Sequence, residues 1–311
     1  MTTALITHPD CLAHVTPPGH PERVERLEAI AEALSAPRFA ALDRIEAPRA
    51  DDALIARVHP RAYIDRIRSA APAAGHKSLD ADTHMSPGSL DAALRGAGGN
   101  ALAVDLVLTG KAQNAFVACR PPGHHAETET AMGFCLFGNV VIAARHAIAA
   151  HGLDRVAIVD FDVHHGNGTQ DLVWNDPAIF FTSSHQMPLY PGSGAANERG
   201  AHDNVFNMPL SPGTGGAGFR RAWSDHGIPA LAAFAPDLIL ISAGFDAHAS
   251  DPLANLELVE DDFAWITHAL CDLAEDHCAG RVVSTLEGGY DLAALAASTA
   301  AHVGVLMERG G

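Results

Sequence analysis

The segment Val159-Asp160-Phe161-Asp162-Val163-His164-His165-Gly166 ends an apolar run in two carboxylates and two imidazoles. Unpaired and buried, each such group costs several kcal/mol, roughly, or shifts its pKa until its charge is lost. A metal ion compensates all of them at once. In an extended segment residues i, i+2 and i+4 point to one side, so Asp160, Asp162 and His164 are expected to converge. A catalytic zinc takes about three protein ligands and keeps one position open for water. Asp162 and His164 supply two, and Asp246, after its own apolar run and a glycine, is the natural third. This mixed carboxylate–imidazole set suits Zn²⁺ and also Fe²⁺. His248 and Asp251 lie near Asp246, but Asp251-Pro252 reads as loop structure.

His124-His125 follows a Pro-Pro-Gly turn that stiffens the approach to both rings. Two imidazoles beside an activated water can divide proton uptake and proton return. Asp160 is placed to orient His124, and Asn167 to orient His125. Tyr290, behind Glu287-Gly288-Gly289, can donate a phenol hydrogen bond to a polarised carbonyl as its oxyanion forms. The plainer readings are a solvated loop for the Asp/His segment, chance for one histidine pair among 19, and an ordinary core-edge tyrosine.

The elements that must position these residues are legible. Strands are expected at Ala115–Cys119, Arg155–Val163, Ala178–Ser183, Asp237–Ala243 and Arg281–Leu286. Helices are expected at Pro21–Leu34, Ser89–Leu108, Asn139–His151, Gly216–Phe234, Val259–Glu275 and Leu292–Met307. Several strands are continuous apolar runs, the pattern of burial on both faces, so the alternation predicts an α/β fold: one parallel sheet with helices on both faces. Each costly cluster follows directly after a strand. In open parallel sheets ligand sites lie outside the carboxyl ends of the strands, which makes these scattered positions neighbours and disfavours the solvated loop.

The 311 residues are 48% hydrophobic and show no linker, repeat or low-complexity tract, which predicts a single domain over 1–311. The longest apolar runs are strand-sized, far short of a membrane span, and no signal peptide is evident. Five cysteines without a Cys-x-x-Cys pair read as small core residues (Cys119 and Cys135 above all) in a reducing cytoplasm. A formal charge of −17 disfavours nucleic-acid partners and attracts cationic ligands, although the acidity of a generic soluble protein is the plainer reading.

Together these residues resemble the histone deacetylase superfamily, specifically its class II-like bacterial members. The resemblance runs from His20-Pro21-Glu22 through Arg120-Pro121-Pro122-Gly123-His124-His125-Ala126-Glu127 and Gly133-Phe134-Cys135. It continues through Asp160 to Gln170, Gly244-Phe245-Asp246 and Leu286-Glu287-Gly288-Gly289-Tyr290. It implies an arginase-like α/β fold and zinc-dependent amide hydrolysis, with Asp162, His164 and Asp246 as zinc ligands. It implies His124 and His125 as the acid/base pair and Tyr290 as the carbonyl-polarising group. Gly133, Phe134 and Tyr190 match the walls of an acyl-lysine channel, with Tyr190 where the family usually has Phe. Asp160 and Ser183 match side chains near a structural potassium, and Asn167 stands where some members carry Asp. Arg26 matches a buried arginine below the site, and Asp82 a rim anchor for the substrate backbone. A binuclear manganese hydrolase of the arginase type fits poorly, since Gly166 and His248 stand where further carboxylates would be needed.

The activity implied is hydrolysis of N-acetyl-lysine, or another short N-acyl-lysine, in a protein or peptide. An acetylpolyamine amidohydrolase is the alternative, and an inactive acyl-lysine-binding scaffold a more distant one. Leu253 stands where the polyamine-specific branch carries an acid, which favours acyl-lysine. Assembly into a homo-oligomer is left open.

Overall fold

The computed structural model describes residues 2–310. Its centre is an eight-stranded sheet in which every pair of neighbours is parallel, in the order β2-β1-β5-β10-β9-β6-β7-β8. These strands are β1 (Thr3–Thr7), β2 (Asp43–Glu46), β5 (Asn114–Val117), β6 (Val156–Asp160), β7 (Ile179–Gln186), β8 (Val205–Leu210), β9 (Leu238–Ala243) and β10 (Val282–Leu286). The short hairpin β3 (Lys77–Ser78) and β4 (His84–Met85) stands apart from them. Residues of β5, β6, β9 and β10 are buried throughout, as their unbroken apolar runs require of strands covered on both faces.

Two groups of helices cover the sheet. In one, α1 (Glu25–Ala33) packs on α10 (Leu292–Gly310), α10 on α9 (Glu260–Cys278), and α9 on α7 (Gly216–Ala222) and α8 (Ile228–Phe234). In the other, α4 (Ser89–Leu108) packs on α5 (Asn139–His151), and α5 on α6 (Asn167–Val173). The α/β class and the carboxyl-end placement therefore agree with the sequence reading. The five cysteines are buried and free. None of the described helices is long and apolar enough to cross a membrane.

Boundaries differ where local chemistry outweighs pattern. The strand expected to reach Val163 ends at Asp160, because the Asp160 side chain accepts the Asp162 N–H at 3.0 Å and turns the chain. Asp160, Asp162 and His164 therefore do not share one pleated face. The helix expected over 216–234 is interrupted by a π-helical turn at Trp223–Gly227, just before Pro229. Strands β1, β2 and β8 were not expected. β2 is largely exposed and reads Asp-Arg-Ile-Glu, while β8 carries Pro209, which an edge strand tolerates. The short helices α2 (Asp52–Ile55), α3 (Arg61–Ala70) and α6 were also not expected.

Several histidines are structural. Burial pushes His59 and His185 down to about 4 and His302 to about 3, and His302 is held between Thr267 and Ser284. An unfolded histidine takes up a proton near pH 6.5, whereas these folded ones stay neutral until pH 4 or below. At these three sites the unfolded chain binds more protons below pH 6.5, so their contribution to stability is lost as pH falls from 6.5 toward 4. Each of the three contributes up to about 1.4 kcal/mol per pH unit. The ring NMR signals of His59, His185 and His302 are expected to keep their neutral positions between pH 7 and 4.5; a ring that titrates near pH 6.5 would contradict this burial.

Candidate active site

The strand order explains why distant segments meet. β5, β10, β9, β6 and β7 are consecutive neighbours, so the segments leaving their carboxyl ends form one cluster. The segment after β6 turns twice on its own carboxylates, since Asp162 Oδ1 in turn accepts the His164 N–H at 2.9 Å. These local turns aim Asp162 and His164 at Asp246, which arrives from β9. His164 Nδ1 lies 3.1 Å from Asp162 Oδ1 and 3.1 Å from Asp246 Oδ2, and ligand atoms of the three residues all lie within 4.8 Å of one another.

All three side chains are buried. Burial and the Asp162 charge raise the Asp246 carboxyl. For Asp162, burial is outweighed by the His124 and His164 rings, which hold its carboxyl well below the usual range. Two buried carboxylates against one imidazole leave excess negative charge, and the donors face one another at close range. This is the chemistry of a cation site, and the set fits a single borderline metal such as zinc. The Gly288 N–H donates to Asp162 Oδ2 at 2.8 Å, and a Cβ at Gly288 would lie 2.1 Å from Asp246 Oδ2, so no larger residue fits there.

His124 and His125 lie beside this set with ring centroids 4.0 Å apart. His124 Nδ1 donates to Asp160 Oδ2 at 3.0 Å, and His125 Nδ1 donates to Asn167 Oδ1 at 2.7 Å, so both orienting partners are the expected ones. The two rings are pushed apart in acidity. Burial acts against the charged form of both, but Asp162 and Asp160 overcome it at His124 and raise it well above the ordinary value. At His125 burial is reinforced by the neighbouring His124 and His164, and that ring is held neutral.

Tyr290 is 8% exposed, with its ring 5.8 Å from Phe134 and the Arg26 guanidinium 5.0 Å from its centroid. It borders a cavity of about 250 Å³ together with His125, His164 and every residue expected in the channel: Gly133, Phe134, Tyr190, Leu253 and Asp82. Leu189 also lines it and was not anticipated. Gly133 and Phe134 both have positive φ (54° and 68°), a conformation that costs a non-glycine residue about 1–2 kcal/mol. A Cβ at Gly133 would lie 2.3 Å from the His125 ring. Tyr190, 39% exposed, stands at the rim with its ring 5.2 Å from that of His125. Asp82 sits in the β3–β4 turn, bonded through Thr83, whose hydroxyl accepts the Phe134 N–H at 3.1 Å. Ser183 is the register partner of Asp160 on β7, and its hydroxyl pairs with His185 Nδ1 at 2.9 Å. His248 points elsewhere, to Ser250 and Glu260.

Three supporting groups were not anticipated. Glu287, at the end of β10, accepts the Gly123 and His124 N–H groups and the Ser242 hydroxyl, and burial pushes it up to about 7. Asp251, read above as loop structure, accepts the Tyr290 N–H at 2.6 Å and so holds the tyrosine's backbone. Glu22 pairs with both Arg26 and Arg120, all fully buried, while Arg26 donates to the carbonyls of Gly289 and Glu287. An acid straight after an apolar strand was the available signal for Glu287. Glu22, far away in sequence, offered none beyond its place in the His-Pro-Glu motif.

The histone deacetylase domain family matches residues 20–306. An uncharacterised protein of Synechocystis is 45% identical over 299 residues, covering 95% of this chain and 96% of its own. A histone deacetylase-like amidohydrolase of Pseudomonas aeruginosa is 41% identical over 285 residues, covering 89% of this chain and 74% of its own. The crystal structure of the HDA15 HD domain superposes with a TM-score of 0.94 at 34% identity, covering 99% of this chain and 89% of that one. By the match to its fold, and by a family match that spans the whole strand-end cluster, the chain belongs to the histone deacetylase family of hydrolases.

Proposed function

We propose that the chain is a zinc-dependent deacetylase that hydrolyses the amide of N-acetyl-lysine, or a short N-acyl-lysine, in a protein or peptide, and that residues 1–311 act as one catalytic domain. The carrying observation is that the clustered Asp162–His164–Asp246 set reaches, through His164, a cavity of about 250 Å³ also bordered by His125 and Tyr290. Those three residues would hold the zinc, which when bound would supply Lewis acidity to the scissile carbonyl and to water. Donation of Nδ1–H to Asn167 leaves His125 Nε2 with its lone pair free, in a ring kept neutral. That nitrogen takes a proton from the attacking water and returns it to the departing amine. His124, pushed toward its charged form by Asp162 and Asp160, stabilises negative charge as it develops, and the Tyr290 hydroxyl donates to the carbonyl oxygen. The products are the free amine and a carboxylate. Asp160 and Ser183 are proposed to lie beside a structural potassium.

Leu253 favours acyl-lysine over an acetylated polyamine, because it places an apolar side chain where a second ammonium would need an acid. Asp82 borders the same cavity and is suited to accept backbone N–H groups of a bound peptide.

Chelation is expected to abolish hydrolysis of an acetyl-lysine peptide, and zinc add-back to restore it, with kcat/KM above that for acetylpolyamines. A metal-loaded enzyme that leaves both substrates intact would sink the proposal. Tyr290→Phe removes one transition-state donor, so kcat should fall on the order of 10²–10³-fold with KM nearly unchanged. Undiminished turnover in that variant would remove Tyr290 from the mechanism.

A further inference from the structure

We propose that Asp105, His146 and His151 form a second metal site, on the outside of the helical layer, for a divalent transition ion of borderline softness such as Zn²⁺. Asp105 lies in the last turn of α4, and His146 and His151 lie near and at the end of α5. His146 Nε2 and His151 Nε2 each stand 2.7 Å from the same oxygen, Asp105 Oδ1. The ligand atoms of the three residues all lie within 4.8 Å of one another, and the ring centroids are 5.8 Å apart. Two imidazoles and a carboxylate are the donor set that borderline divalent ions prefer. With zinc–nitrogen bonds of about 2.0–2.1 Å, the donors need to part only a little beyond hydrogen-bond length to admit the ion. The two histidine side chains are only 15% and 20% exposed and so are held by packing, whereas Asp105 is 46% exposed. A groove of about 340 Å³, bordered by Asp105, His146 and Arg57, opens beside them and leaves room for water on the remaining coordination positions.

The hydrogen bonds show what an ion would have to displace. As two donors to one carboxylate oxygen, both rings carry their protons on Nε2. Arg57 Nη1 lies 3.2 Å from His146 Nδ1, and because a guanidinium only donates, that nitrogen must accept. Arg57 thus holds His146 in the tautomer that cannot ligate through Nε2. Ion binding moves the His146 proton from Nε2 to Nδ1, does the same at His151, and turns Arg57 away into solvent. The bound ion then ties the end of α4 to the end of α5, so that free zinc stabilises the fold by mass action. This site shares no residue with the active-site set and stands independently of the proposed function.

The test is equilibrium dialysis of the full chain against zinc with elemental analysis, on wild type, His146→Ala, His151→Ala, Asp246→Ala and Arg57→Ala. Wild type is expected to bind two ions per chain. His146→Ala and His151→Ala should each bind one and keep the wild-type rate of hydrolysis. Asp246→Ala should also bind one, but keep the outer ion. Arg57→Ala should bind the outer ion on the order of tenfold more tightly, through loss of a nearby like charge and of the donor on Nδ1. In the wild type, ring nitrogen NMR signals of His146 and His151 should move on zinc addition. Zinc stoichiometry unchanged by both histidine variants, or ring signals that stay put, would overturn the proposal.

Discussion

Two carboxylates, Asp162 and Asp246, are buried within 3.1 Å of a single imidazole, and the surrounding structure is arranged around that excess of negative charge. Ion pairs left incomplete in a protein interior cost several kcal/mol. Here the compensation comes from several directions: backbone N–H groups of Gly288 and Val163, the cationic His124 ring, and a geometry that accepts a metal. The glycine at 288 is a direct consequence, since only a residue without Cβ lets the backbone N–H approach carboxylates so closely.

The charge at the metal group also sets the character of the histidine pair. His124 looks onto Asp160 and Asp162 and is driven cationic, while His125, one residue along, sees mainly other rings and burial and is driven neutral. Adjacent residues of one type are thus shifted in opposite directions, and the identity of the orienting partner reinforces the contrast: a carboxylate for the first, an amide for the second. A division of acid and base character between paired groups is a common mark of a catalytic site.

A second buried ionic cluster holds the frame. Glu22 sits between Arg26 and Arg120 with His14 close by, and Arg120 holds its carboxyl well below the usual carboxylate range against the cost of burial. Arg120 begins the segment that leads to His124, and Arg26 grips the carbonyls on either side of Gly288. One carboxylate therefore links the two strand-end segments that carry the histidine pair and the tyrosine. Glu287 repeats the linkage inside the site by accepting both Gly123 and His124 N–H groups.

The central strands, the long helices and the polar clusters after each strand were legible in the sequence, because burial on two faces and carboxyl-end chemistry leave local patterns. The pairings His124–Asp160 and His125–Asn167 were legible too, since each segment had a recognisable residue type to offer. The edge strands β2 and β8 were not, because β2 is short, polar and exposed, while Asn207 and Pro209 break the apolar run of β8. Nor was the end of β6, where Asp160 turns the chain with its own side chain, so that Asp162 and His164 converge through local turns and not through the pleat. Asp251 looked like loop and proved to be the anchor of Tyr290, while Glu22 acquires its role only when helix α1 is laid beside the ends of β5 and β10. Residue type and spacing determined which chemistry the chain could perform; the order of the strands in the sheet decided which of those residues meet, because contacts between distant segments leave no periodic trace along the chain.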